Sequence, residues 1–152
     1  MPRPLTPDDI FAFESVADAR IAPDGTAIIA ILTRRDRTTD TRVPRLIRST
    51  DRETWSDLAD SEGVLTARWA PDSGRVALLR RRGDRYQVAI DGGGMRILHE
   101  AATQIRELAV SPDGRLIAFQ QRIDAPLPAW LPEVASTKKP SVVRLLDDDE
   151  DE

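Results

Sequence analysis

One phrase returns along this chain and limits what it can fold into. "RIAPDGTAIIAIL" from Arg20, "RWAPDSGRVALLR" from Arg68 and "LAVSPDGRLIAFQ" from Leu108 align without gaps on Pro23, Pro71 and Pro112. Asp24, Asp72 and Asp113 follow the prolines, and Ala22, Ala70 or Ser111 precedes them. Two places before each proline stands a large apolar residue, Ile21, Trp69 or Val110. Five places after it stands a β-branched one, Ile28, Val76 or Ile117. The chain therefore carries an internal repeat, and any fold for it must be modular.

The phrase itself spells a hairpin. Proline presets φ at the second position of a turn, aspartate bonds nearby amides, and glycine accepts left-handed angles. Pro23, Asp24 and Gly25 make one such turn, and Pro112, Asp113 and Gly114 another. In the middle copy Pro71 and Asp72 are followed by Ser73 before Gly74, which predicts a loop one residue longer. Apolar runs of strand length flank the turns: "AIIAIL", "VALL" and "LIAF". Between the hairpins lie further strand candidates at Arg45–Ser49, Trp55–Ala59, Tyr86–Ile90 and Met95–His99. Four strands in each repeat is the period of a propeller blade. The expectation is a mainly β chain, a partial β-propeller of about two and a half four-stranded blades with a short N-terminal helix.

The predicted domains follow from this. Residues 5–17 read as the helix, with Thr6 as N-cap, Pro7 in the first turn, and Ile10, Phe13 and Val16 on one face. Residues 18–122 hold the blades, and 123–152 are a proline-rich connector and acidic tail, largely irregular, in which "SVVRLL" is a further strand candidate.

Composition removes several functions. With no cysteine there is no disulfide, thiolate metal site or thiol nucleophile. Six of the 26 acidic residues form the terminal "DDDEDE", so the rest of the chain, with its 22 Lys and Arg, is nearly neutral. That balance offers nothing to nucleic acid. Arg34, Arg35, Arg80, Arg81 and Arg82 end apolar runs and read as solvated strand ends. No run reaches the ~20 apolar residues of a membrane helix, and no signal peptide is visible, so the expectation is a cytoplasmic chain without a membrane partner. The acidic tail lacks the spaced ligands of a calcium loop, and "DGGG" at Asp91–Gly94 lies between strand candidates and reads as a turn, not a phosphate cradle. No cofactor or metal is expected.

The helix "PLTPDDIFAF", followed by "VADARIAPDGTAIIAIL" and two later "PD" hairpins, resembles the N-terminal propeller region of prolyl oligopeptidase-family serine peptidases, of the acylaminoacyl-peptidase and dipeptidyl-aminopeptidase-like kind. The resemblance covers roughly residues 4–122. It implies a non-catalytic propeller portion, which in relatives gates peptide access to an α/β-hydrolase active site. The family's nucleophile stands in a Gly-x-Ser-x-Gly elbow, and this chain has none. Its single histidine, His99, reads as an edge residue, so no catalytic residue is assigned. The resemblance also implies that Ile10, Phe11 and Phe13 dock on an α/β-hydrolase domain. Alternatives are a stand-alone propeller-type binding module and an inactive truncated gene product. Because a closed propeller needs at least ~4 blades, self-association through open blade edges is a further expectation.

Overall fold

The computed structural model describes residues 3–122 and the backbone of 139–144. A five-residue 3-10 helix, Pro7–Phe11, leads into three antiparallel sheets. Blade 1 contains β1 (Glu14–Ile21), β2 (Ile28–Arg35), β3 (Arg42–Ser49) and the two-residue β4 (Ser56–Asp57). Blade 2 contains β5 (Val64–Trp69), β6 (Val76–Arg82), β7 (Arg85–Asp91) and β8 (Met95–Ala101). Blade 3 contains β9 (Ile105–Val110), β10 (Leu116–Gln121) and β11 (Lys139–Arg144). Strands follow one another in space in chain order, as in propeller blades.

Each aligned phrase is a hairpin, joining β1 to β2, β5 to β6 and β9 to β10. The apolar run of β6 explains the stacking. A strand alternates its side chains between two faces, and both faces of blade 2 are covered. Val76, Leu78 and Ala89 pack with Ile29, Ile31 and Leu46 of blade 1. Ala77, Leu79, Val88 and Ile90 pack with Ile105, Leu108, Ile117 and Phe119 of blade 3. "VALL" is continuous because neither face meets water. Burial of one such side chain contributes roughly 1.5–3 kcal/mol, so each core clamps two blades together.

The innermost strands carry a feature with no sequence signal. Register shifts between Val16 and Asp18 in β1, between Val64 and Thr66 in β5, and opposite Phe119 and Gln120 in β9 leave Ala17, Leu65 and Glu107 as extra residues. Every described blade thus has a β-bulge in its inner strand, which adds local twist where the blades converge.

Four expectations need correction. The helix does not reach residue 17, since 14–17 already belong to β1, where 14–16 pair with β2. A short isolated helix is marginal in water, whereas the strand completes a ladder interrupted only at the Ala17 bulge. Trp55–Ala59 yields only Ser56–Asp57 as strand. Arg80 is not solvated: it is 2% exposed, its Nε donates to Gln87 Oε1 at 2.8 Å, and its Nη1 donates to the Asp60 carbonyl. Gln87 Nε2 passes the chain on to Glu100 Oε2 at 2.6 Å. These partners satisfy the buried guanidinium, whose pKa burial lowers. Finally, 139–144 form β11, so the expected irregular region contains a strand, which takes in all of "SVVR" from the strand candidate "SVVRLL". The rest of the connector and the acidic tail lie outside the described residues.

Blade 1 is tied to blade 2 at the β4–β5 connection. The Leu46 amide donates to Ser61 Oγ at 3.0 Å, the Gly63 amide to the Pro44 carbonyl at 3.0 Å, and the Arg81 amide to the Gly63 carbonyl at 2.9 Å. Gly63 adopts φ +76°, and a Cβ there would lie 2.0 Å from the Arg81 carbonyl oxygen. Only glycine fits. Gly63→Ala is expected to destabilise the chain by about 3 kcal/mol or more, read as a lower midpoint of urea unfolding.

Candidate functional site

Two surfaces carry the residues singled out in the sequence. The first is the end of the blades formed by the repeat turns. Gly25, Ser73 and Gly114 donate their amides to the carbonyls of Ala22, Ala70 and Ser111 at 2.9, 3.1 and 2.9 Å. The strands then close with Ala22 to Ala27, Ala70 to Arg75 and Ser111 to Leu116 bonds of 2.8, 2.8 and 2.9 Å. All three loops are the same length, which corrects the expectation of a longer middle loop. Ser73, at φ +57°, stands where Gly25 and Gly114 stand at +75° and +71°. Gly74 lies one place beyond that position.

The aspartates hold these loops shut. Asp24 Oδ1 accepts from the Thr26 amide at 2.9 Å, Asp72 Oδ1 from the Gly74 and Arg75 amides at 3.0 and 3.1 Å, and Asp113 Oδ1 from the Arg115 amide at 3.0 Å. Amide and hydroxyl donors lower the pKa of Asp24, with the Thr26 amide foremost, and of Asp113, with the Ser111 hydroxyl foremost. At Asp72 burial pushes the other way, and the Arg75 guanidinium and the two amides together outweigh it. A carboxylate so committed to its own loop is a clasp, not an acid, base or metal ligand. Among the described residues no group of three or more His, Cys, Asp and Glu could hold a metal ion.

Adjacent turns also touch. The Asp24 amide donates to Ser73 Oγ at 3.1 Å, and Gly114 faces the Pro71 ring and the Arg75 side chain. Also between blades 1 and 2, Trp69 Nε1 donates to the Arg20 carbonyl at 3.0 Å, and the Arg48 guanidinium lies 5.3 Å from the Trp69 ring. His99 serves the same purpose between blades 2 and 3: its Nε2 is 2.8 Å from Gln121 Oε1, and its ring stacks on Phe119 at 5.0 Å. His99 thus joins β8 of blade 2 to β10 of blade 3. Asp91–Gly94 is the β7–β8 turn.

The second surface is at the opposite end, where the chain enters blade 1. Asp9 closes the 3-10 helix, accepting from the Thr6 amide at 2.6 Å and from the Arg3 guanidinium. Arg3 foremost, then the Thr6 amide, lower its pKa to about 2. Asp8 pairs with Arg37 at 2.7 Å, and the Arg37 guanidinium lies 6.0 Å from the Phe11 ring. The three docking candidates therefore divide. Phe11 is half-buried beside the β2–β3 turn, whereas Ile10 and Phe13 are 47% and 59% exposed. Leu5 and Val16 nearby in the chain are exposed too.

At this end a groove of about 720 Å³ separates the blades, lined among others by Ser15, Thr33, Arg42, Val64, Leu65 and Arg81. Its hydroxyls have no histidine or carboxylate beside them in the lining, so nothing there activates a nucleophile.

No protein-family model and no curated protein matches the chain. Solved structures do. The acylaminoacyl peptidase of Pyrococcus horikoshii superposes with a TM-score of 0.66 at 14% identity, over 84% of this chain and 21% of that one. The β-propeller domain of the Trilobed protease from Pyrococcus furiosus gives 0.59 at 17% identity, over 71% of this chain and 34% of its own. The AtxE2 isopeptidase gives 0.63 at 19% identity, over 78% and 23%. The chain is thus a set of propeller blades, with the fold seen in peptidase propellers, and among the described residues the sheets do not close into a ring. It spans about a fifth to a third of these proteins' length.

The turn geometry makes two predictions. Ser73→Ala keeps the left-handed backbone and removes the hydroxyl that accepts the Asp24 amide, and should cost about 1 kcal/mol. Ser73→Gly loses the same bond but relaxes the backbone, and should recover most of that loss; thermal melts of the two variants compare them. The second concerns acid. Asp9 and Asp51 have folded pKa values of about 2 against an ordinary 3.8, Asp51 because the Thr54 amide and hydroxyl and the Glu53 amide bond it. Asp24, Asp72 and Asp113 are also lowered. A depressed carboxylate stabilises the fold above its unfolded value and ceases to as pH falls through its folded one. Unfolding midpoints are expected to be level above the ordinary 3.8 in this respect and to drop as pH approaches 2.

Proposed function

We propose that this chain is the non-catalytic N-terminal propeller portion of a prolyl oligopeptidase-family serine peptidase, controlling how peptides reach an α/β-hydrolase active site. The observation that carries the reading is the pairing of a short leading helix with blades that superpose on the acylaminoacyl peptidase over 84% of this chain. The exposed Ile10 and Phe13 support the helix end as the docking surface for that hydrolase domain. A cytoplasmic location goes with this reading. A second reading is a stand-alone propeller-type binding module, since the fold is shared with TolB from Acinetobacter baumannii, with a TM-score of 0.54 at 24% identity over 70% of this chain and 27% of that one, as well as with peptidases.

The peptidase reading has a direct test in the coding DNA that follows this chain's own. It should encode further "PD" hairpins and then a Gly-x-Ser-x-Gly elbow, and a locus without either would leave the binding module as the better reading. On the protein itself, pure chain should not turn over an acyl-aminoacyl chromogenic substrate, and turnover abolished by a serine-directed inhibitor would overturn its non-catalytic role. Because Phe13 is 59% exposed, Phe13→Ser should change the melting temperature little while weakening capture of the hydrolase domain encoded with it.

A further inference from the structure

The groove at the helix end is the place where the interface between blades 1 and 2 opens. Its floor is the last of their shared core, Ile31 and Val64, both buried. Beyond them the walls are tied together at Gly63, whose amide donates to the Pro44 carbonyl and whose carbonyl accepts from the Arg81 amide. Pro44, Gly63 and Arg81 all belong to the lining, so the groove has its shape before anything enters it. Its volume of about 720 Å³ is that of an ordinary ligand site, about 300–1,000 Å³.

Two features of this lining call for a ligand. The first is charge. Arg35, Arg37 and Arg45 of the same blade are each held by a carboxylate, Asp40, Asp8 and Glu14, at 2.7, 2.7 and 3.0 Å. Arg42, exposed at the start of β3, has no hydrogen bond or ion pair among the described residues. On the other wall Arg81 Nε donates to the carbonyl of Gly83, itself a lining residue, at 3.1 Å, which leaves the Nη groups for a further acceptor. No carboxylate stands in the described lining to neutralise either arginine. The second feature is backbone. Ala17 and Leu65, the extra residues of the bulges in β1 and β5, both line the groove, one from each wall. A bulge leaves its extra residue out of the ladder, so main-chain groups are offered here to something other than a neighbouring strand. Leu65 adds an apolar side chain that is 48% exposed.

We infer that this groove holds the carboxyl-terminal end of an extended peptide without cleaving it. The terminal carboxylate accepts from the Arg42 guanidinium, the peptide's main chain meets the free groups at Ala17 and Leu65, and an apolar side chain lies on Leu65. An inorganic anion would use the charge and leave the bulges and the apolar floor idle. A chain end suits the groove better than a passing acidic side chain, because the Pro44–Gly63–Arg81 bridge crosses from wall to wall and a chain that stops against it needs no exit. The inference rests on residues of this chain alone and not on the peptidase reading.

Isothermal titration of the full chain with a short blocked peptide, acetyl-Ala-Leu-Ala-Leu, tests it through the peptide's end. The free acid should bind, and the same peptide with an amidated terminus should bind about 10-fold or more weakly, the effect of losing one charge-assisted pair. Arg42→Gln should weaken the acid by the same factor and leave the amide unchanged, whereas Arg42→Lys should keep part of the affinity. Because Arg42 is exposed and unpaired among the described residues, both variants should melt as wild type does. Leu65→Ser on the opposite wall should weaken acid and amide alike. No binding of the acid, equal binding of acid and amide, an Arg42→Gln protein that still prefers the acid, or a Leu65→Ser protein that binds both as wild type does each overturns the proposal. So does an amidated peptide with an internal aspartate that binds as tightly as the acid, since a side-chain carboxylate would then be the ligand, and so does inorganic phosphate that displaces the acid at equal concentration. The absence of a Gly-x-Ser-x-Gly elbow downstream, which would sink the peptidase reading, changes none of these outcomes.

Discussion

Everything in this structure depends on blade 2 being buried on both faces. Its odd and even residues feed two separate cores, and each core is half built from a neighbouring blade. A single blade has no interior of its own, so stability comes from the contact between repeats. The polar bonds between blades then fix the register of that contact: Trp69 to the Arg20 carbonyl, Asp24 to Ser73, His99 to Gln121. They add little to affinity but decide how the blades align.

The same arrangement accounts for the buried Arg80. It stands on the face of β6 that meets blade 1, in step with Val76 and Leu78, and a hydrocarbon there would have served packing equally well. Instead Gln87 and the Asp60 carbonyl satisfy it, and Glu100 closes the string across β6, β7 and β8. A buried charge with complete partners is no large source of stability, but removing one partner is costly. The string therefore discriminates between registers of these strands.

Much of this was legible in the sequence because turns and strands have local chemistry. Proline, aspartate and glycine announce their dihedral needs, and "VALL" announces burial on both sides. What was not legible depends on partners distant in the chain. Ala17, Leu65 and Glu107 form bulges without glycine, and three such different residues share no signal. Ser73 takes a left-handed backbone although glycine stands beside it, because strand pairing fixes the loop length. The spacing of Ile10, Phe13 and Val16 looked helical, yet β2 offers residues 14–21 a ladder that solvent cannot match. Arg80 resembled its exposed neighbours Arg81 and Arg82, and only the β4–β5 connection above it makes the difference.

The two ends of the blades are chemically unlike. At the turn end the aspartates are spent on their own loops, and neighbouring turns satisfy one another. Such a surface has little left to offer a ligand. At the other end Leu5, Ile10, Phe13 and Val16 keep large apolar areas in water, beside a groove whose lining carries Arg42 and Arg81. Exposed apolar side chains of this size raise the free energy of the isolated chain, and association is the way to lower it. A partner that covered the helix end would bury these side chains without disturbing the closed turns, so substitutions at the helix end need not disturb the end that holds the blades in order.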